Sequence, residues 1–164
     1  MNFTALFQRL QDTAIGTAIR ENDVYFPWIE SVHVLAIVLV VGTIFIVDLR
    51  LLGLASTNRP VQRLMRDVLP ITWTCFAVAA VTGSLLFSAR AVDYTQNFFF
   101  LGKMVLLLLA AFNMIVFHVV GTRNIAQWDA LETTPFAAKF AGGVSLTIWV
   151  AVVAFGRWIG FTLP

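Results

Sequence analysis

The sequence predicts an all-α fold: a four-helix transmembrane bundle of up-and-down topology, preceded by an N-terminal interfacial amphipathic helix. Three observations lead there. Of 164 residues, 59% are hydrophobic and only 12% charged, against ~25% charged in a soluble domain, and the mean hydropathy is +0.84. The apolar residues gather into four continuous runs, at about 28–49, 68–90, 98–121 and 138–160. Each run is near the roughly 20 residues that carry a helix across a ~30 Å hydrocarbon core. The runs are rich in Leu, Val and Ala and lack the polar alternation of a barrel strand, so their backbone polar groups must be satisfied within helices. Loops as short as "TNRPVQRLMRD" and "RAVDYTQN" leave no room for a second domain, and residues 1–164 read as one membrane domain.

Taken in order, the first element is residues 3–20. Phe3, Leu6, Phe7, Leu10 and Ala14 recur at helical spacing on one face, with Gln8, Arg9, Gln11 and Asp12 elsewhere, which predicts a helix lying in the membrane interface. A cleavable leader needs a basic start and an unbroken apolar centre, so this segment is expected to remain in the mature chain. Tyr25, Phe26 and Trp28 then anchor the first span at the boundary, with Pro27 suited to its first turn. The loop after span one carries Arg50, Arg59, Arg63 and Arg66, and the loop after span three carries Arg123 and Lys139. The opposite side has Arg9, Arg20, Arg90 and Arg157, so the positive-inside rule predicts both termini outside and these two loops in the cytoplasm.

Composition also excludes several functions. The formal charge is +2 with basic residues scattered around the spans, which argues against a nucleic-acid partner. The single cysteine, Cys75, excludes an intramolecular disulfide and any multi-cysteine metal site. What remains to explain is the polar residues inside the spans, which are costly in hydrocarbon unless paired, hydrated or bound.

If alternate spans run in opposite directions, spans one and three share a direction, and their polar residues sort by depth. His33 and Asp48 are 15 positions apart, as are Lys103 and His118, a separation of ~22 Å at 1.5 Å per residue. An outer layer therefore holds Glu30, His33 and Lys103, with Arg157 near the end of span four. An inner layer holds Asp48, Arg50 and His118, with Arg123 just beyond.

In the outer layer, Glu30 and His33 share a helix face in the Glu-x-x-His spacing of carboxylate-bridged di-metal bundles, but such a site needs the motif twice. Copper would call for several Met, Cys or His ligands, whereas Met104 adjoins Lys103 and Met65 and Met114 lie at other depths. Haem fits the inventory better. One imidazole, His33, would ligate iron, while Lys103 or Arg157 would meet the propionates and Glu30 would support the ligand or balance Lys103. Ligation of one iron by both His33 and His118 of a single chain conflicts with their ~22 Å difference in depth. The bland account pairs Glu30 with Lys103 and hydrogen-bonds His33 to a neighbouring helix.

In the inner layer, an Asp48–His118 or Asp48–Arg123 pair with Arg50 snorkelling is the structural reading, and a proton relay the functional one. Asn113, deep in span three, is expected to hydrogen-bond another helix, with Thr72, Thr82 or Ser84 as partners. "AGGVS" and "GRWIG" in span four supply small residues for close helix approach or for a homo-oligomer.

With His33 in span one, "VDLRLLG" closing it and "FLGKMVLLLLAAFN" in span three, the sequence resembles a bacterial family of uncharacterised four-span membrane proteins. It is also distantly similar to membrane-embedded, haem-binding protoporphyrinogen oxidases and to copper resistance D proteins. The oxidase resemblance rests on a first-span His and a Lys heading a later span, matched by His33 and Lys103, and implies haem b. The function expected is electron transfer or quinone-linked redox chemistry, with the lipid bilayer and a quinone or redox protein as partners. A small transporter or metal-handling protein, and a structural subunit of a membrane complex, are the alternatives.

Overall fold

The computed structural model describes residues 3–121, 125–129 and 134–163. The four predicted spans are the four long apolar helices: α3 (Tyr25–Leu52), α4 (Val61–Ala89), α6 (Phe98–Val116, continued by a π-helical turn Phe117–Gly121) and α8 (Phe136–Thr162). Shorter helices complete the chain: α1 (Phe3–Gln11), α2 (Ala14–Glu21), α5 (Ala91–Gln96) and α7 (Ile125–Trp128). α3, α4 and α8 begin earlier than the apolar stretches alone predict, while α6 with its π turn covers the predicted 98–121, and polar groups close the helix ends. Asn97 caps α6 by accepting from the amides of Phe99 (2.9 Å) and Phe100 (3.1 Å). At the start of α4, Asp129 supplies a carboxylate to the amides of Val61 and Gln62, satisfying two N-terminal donors from across the sequence. Gly53 closes α3 in the left-handed conformation at φ 77°, donating to the Arg50 carbonyl at 3.1 Å.

Packing is sequential only in part. α3 sits centrally against α4 and α8, and α6 packs on α8, so α4 and α6 flank an opening along one side of the bundle. Glycines set the tightest approaches. A Cβ on Gly142 would lie 3.0 Å from the Leu51 side chain and 3.2 Å from the Asp48 carbonyl, so the "AGGVS" segment is where α8 closes on α3. Gly102 likewise receives the Phe155 ring. Val40, Trp149 and Val152 form the mid-bundle core. Outward-facing Leu35, Val38, Val81, Leu108 and Phe112 are more than 60% exposed, an apolar surface that only lipid accommodates.

The N-terminal segment differs from the single helix expected. Thr13 breaks it, capping α2 by accepting from the Gly16 amide at 3.2 Å. The two pieces fold onto the bundle as well as presenting an apolar face. Phe7 meets Phe87 edge-on at 6.0 Å, and Arg20 donates to the carbonyls of Gln11 (3.2 Å) and Ala89 (3.3 Å). Gln11 accepts from the Val92 amide at 3.2 Å, and Asn97 donates to the Thr162 hydroxyl at 2.8 Å. Both chain termini therefore gather at one end of the bundle, here the terminal end, opposite the far end where the α3–α4 connection and α7 lie.

Candidate functional site

Two clefts open into the bundle, one toward each end, and between them they collect Glu30, His33, Asp48, Lys103, Asn113, His118 and Arg157. The terminal-end cleft encloses about 720 Å³ and is lined by Glu30 and His33 of α3, Lys103 of α6 and Arg157 of α8. These four are the residues the sequence assigns to the outer layer. Arg90, at the end of α4, and Tyr94 of α5 line the same cleft and complete its polar rim. Its wall is aromatic: Phe87 stacks on Phe100 at 5.5 Å, and Tyr94 packs against Phe100 at 5.1 Å.

His33 is held in one orientation. Its Nδ1 lies 2.9 Å from the Thr82 hydroxyl, and that hydroxyl is itself 2.7 Å from the Val78 carbonyl. A carbonyl only accepts, so with the Thr82 proton on Val78 the hydroxyl accepts from the Nδ1–H tautomer of His33. In the neutral ring this leaves the lone pair on Nε2. Thr82 is pinned to its own backbone in the usual manner of a helical threonine, which makes it a fixed acceptor. Gly83 makes room for the ring: a Cβ there would lie 2.8 Å from His33 Cε1.

The basic side chains take distinct positions. Lys103 is partly buried, its stem against Gly156. Arg157 is exposed and lies over the Phe161 ring at 4.7 Å, and Arg90 lies over Phe26 at 6.0 Å. Outside the spans, burial and then the neighbouring Glu30 charge push the Tyr94 phenol above its ordinary value, outweighing the opposite pull of Arg90. Tyr94 thus stays a hydrogen-bond donor at neutral pH.

The far-end cleft is smaller, about 270 Å³, and mostly apolar. Thr72, Asn113, Ser145, His118 and Asp48 are its polar members, among Trp73, Phe76, Trp149, Met65 and Met114. His118 rides on the π-helical turn and its Nδ1 donates to the Met114 carbonyl at 2.9 Å. Asp48 is 4% exposed and bonded to Ser145, but its Oδ2 has no hydrogen-bond partner among the described residues.

Two inner-layer expectations change here. Arg50 leaves the cluster: its guanidinium turns to the Arg59 carbonyl (2.7 Å) and the Thr134 hydroxyl (3.3 Å), because two positions beyond Asp48 on a helix is a different face. Asn113 reaches α8, donating to the Ala141 carbonyl at 3.1 Å, and none of the three hydroxyls expected. Those are committed elsewhere, Thr72 to Thr43, Thr82 to His33 and Ser84 to the Ala80 carbonyl. Arg123 lies outside the described residues.

Arg90, Tyr94 and Gly83 of the cleft, and Thr82 behind His33, are the residues that sequence reasoning missed at this site. A signal existed for the α4 pair. Thr82 lies ~10 Å from the terminal end of α4 and His33 ~12 Å from that of α3, at 1.5 Å per residue, so equal depth marks them as neighbours. Tyr94 had no such signal, because the segment holding it reads as a loop until α5 folds it back over the cleft.

Among the described residues no three His, Cys, Asp or Glu side chains converge to hold a metal ion by themselves. A di-metal or tris-ligand protein site therefore lacks its ligand set there. One oriented imidazole in an aromatic cleft with cationic side chains is a different chemistry, suited to a group that brings most of its own ligands or to an anionic apolar molecule.

Fold and clefts together define the class: a four-span integral membrane protein with a polar, aromatic-walled cleft at the end where its termini meet. The chain belongs to the family of unknown function DUF6644, whose model matches residues 12–162. No curated protein and no solved structure matches it.

Proposed function

We propose that the protein binds haem b in the terminal-end cleft, with His33 as the axial ligand, and serves one-electron transfer to or from a quinone or a redox partner in the bilayer. The observation that carries this reading is the orientation of His33. Its Nδ1 lies 2.9 Å from the Thr82 hydroxyl, and in the Nδ1–H tautomer that contact leaves Nε2 as the ligating atom and fixes the ring, as ligand histidines are usually fixed. The cleft fits the group in size and in chemistry. About 720 Å³ lies within the ~300–1,000 Å³ typical of cofactor sites, and its aromatic wall suits a macrocycle. Lys103, Arg157 and Arg90 would meet the propionates, with Tyr94 a further donor. When bound, the haem would supply reversible one-electron chemistry, its potential set by ligand and burial. The chain's own residues would orient the ligand, balance the propionate charge and exclude water. This resembles the expectation drawn from His33 and Lys103 in the membrane-embedded oxidases.

The cheapest test is a visible spectrum of the protein purified from membranes in haem-replete cells. A Soret band with a dithionite-reducible α-band, and about one haem per chain by pyridine extraction, is expected. A folded, colourless protein that gains no Soret shift on adding hemin overturns the reading.

We further propose that the terminal end faces the periplasm of a bacterial inner membrane, since the arginines at 50, 59, 63 and 66 crowd the α3–α4 connection. Reporters active only in the cytoplasm, fused to either terminus, should be silent. Strong activity from them inverts the assignment.

A further inference from the structure

Asp48 has no part in the terminal-end site, and its setting needs an explanation. It is 96% buried, in contact with Ser145, and presents a bare Oδ2 among the described residues. The nearest basic residue in sequence, Arg50, is committed to the α3–α4 connection and Thr134. A carboxyl oxygen in apolar surroundings is stable only with a proton or a cation on it.

The cleft around Asp48 narrows the choice of cation. Asn113, which lines the cleft, gives one amide hydrogen to Ala141 and keeps its Oδ1 as an acceptor, and Thr72 spends its proton on Thr43 or Val68. With Asp48 and Ser145 these give at most a few oxygens, short of the six to eight that a hard metal cation such as calcium takes. His118 also lines the cleft, its Nδ1 given to the Met114 carbonyl, and the wall includes Trp73, Phe76, Trp149, Met65 and Met114, with Trp73 set edge-on to Phe76 at 5.9 Å. Aromatic faces around a carboxylate are the chemistry that recognises an organic ammonium ion. Access is lateral: the cleft is lined from both α4 and α6, which flank the open side of the bundle.

We infer that the far-end cleft is a binding site for an organic ammonium ion with a short apolar body, its charge on Asp48 and its body among Trp73, Phe76 and Trp149. The inference stands apart from the haem reading, since it uses none of the same residues.

Benzyltrimethylammonium, a permanent cation of that form, is the probe. Equilibrium dialysis against the purified wild-type protein in detergent should show saturable binding to one site per chain. Asp48→Asn should weaken it by roughly tenfold or more, the effect of removing one partner of a buried charge pair. A second measurement needs no variant. Dicyclohexylcarbodiimide modifies acids in apolar settings, and peptide mass spectrometry should find Asp48 labelled in the wild-type protein, with the ammonium slowing that labelling. Absence of saturable binding, equal binding by Asp48→Asn, or labelling of Asp48 that the ammonium does not slow would each overturn the inference.

Discussion

The two clefts are built from the same four helices and differ in almost every other respect. At the terminal end the polar groups are many, and His33 is already oriented: it is held by Thr82, seated against Gly83 and shares its cleft with Lys103, Arg90 and Arg157. At the far end the polar groups are few, and the important one is half satisfied: Asp48 holds Ser145 with one oxygen and nothing among the described residues with the other. The difference teaches how a thin bundle separates two kinds of site. A cofactor cleft is preorganised before its ligand arrives, because rigid contacts around the ligating atom reduce the ordering left for binding. A cleft for an exchanging molecule keeps an open valence.

Mutations that disturb only one cleft test this contrast. The largest effect should come from Gly83→Val. A Cβ there meets the imidazole at 2.8 Å, and a branched side chain leaves the ring nowhere to retreat along α4. Haem occupancy after purification should fall by about tenfold or more, consistent with the loss of an oriented ligand. Normal occupancy would show that His33 does not need its present position.

Thr82→Val is gentler, since shape is kept and only the acceptor for His33 Nδ1–H is lost. Affinity for hemin in titration should drop by less than in Gly83→Val, by roughly severalfold to tenfold, the low end of what deleting a ligand's supporting hydrogen bond costs. A valine variant indistinguishable from wild type would mean the hydrogen bond is structural only. Both changes should leave ammonium binding at the far end intact.

The smallest effect belongs to Asn113→Leu, which breaks one helix–helix hydrogen bond to Ala141 at the edge of the far-end cleft. Such bonds in membranes are worth about 0.6 kcal/mol on average and at most ~1.7 kcal/mol, so thermal stability in detergent should decline slightly. A large loss would place Asn113 in the far-end site as a structural centre, and blur the distinction drawn between the clefts.

The sequence made the helices legible because the bilayer imposes a length and a composition on each span, and those are visible in any window of twenty residues. Depth was legible for the same reason: 1.5 Å per residue puts His33 beside Lys103 and Asp48 beside His118, and the clefts collect those same sets. Rotation about the helix axis was not. Whether Arg50 faces the bundle or the loop, or which helix Asn113 reaches, depends on packing angles that a run of leucines does not encode. Tyr94 illustrates a second limit, since a short polar helix between spans carries too little periodicity to show that it folds back over a cleft. The split between α1 and α2 is a third: the apolar spacing runs through residue 14, and only the Thr13 cap reveals the break.

The central claim is that His33 is the ligand of a haem seated in the terminal-end cleft, and a dithionite-reduced minus oxidised spectrum of His33→Ala tests it most directly. His118→Ala, a histidine change in the far-end cleft, is the matched control. The account predicts that His33→Ala inserts and folds but loses the haem bands entirely, while His118→Ala retains the wild-type spectrum. Full haem bands in His33→Ala, or equal loss in the two variants, would contradict it.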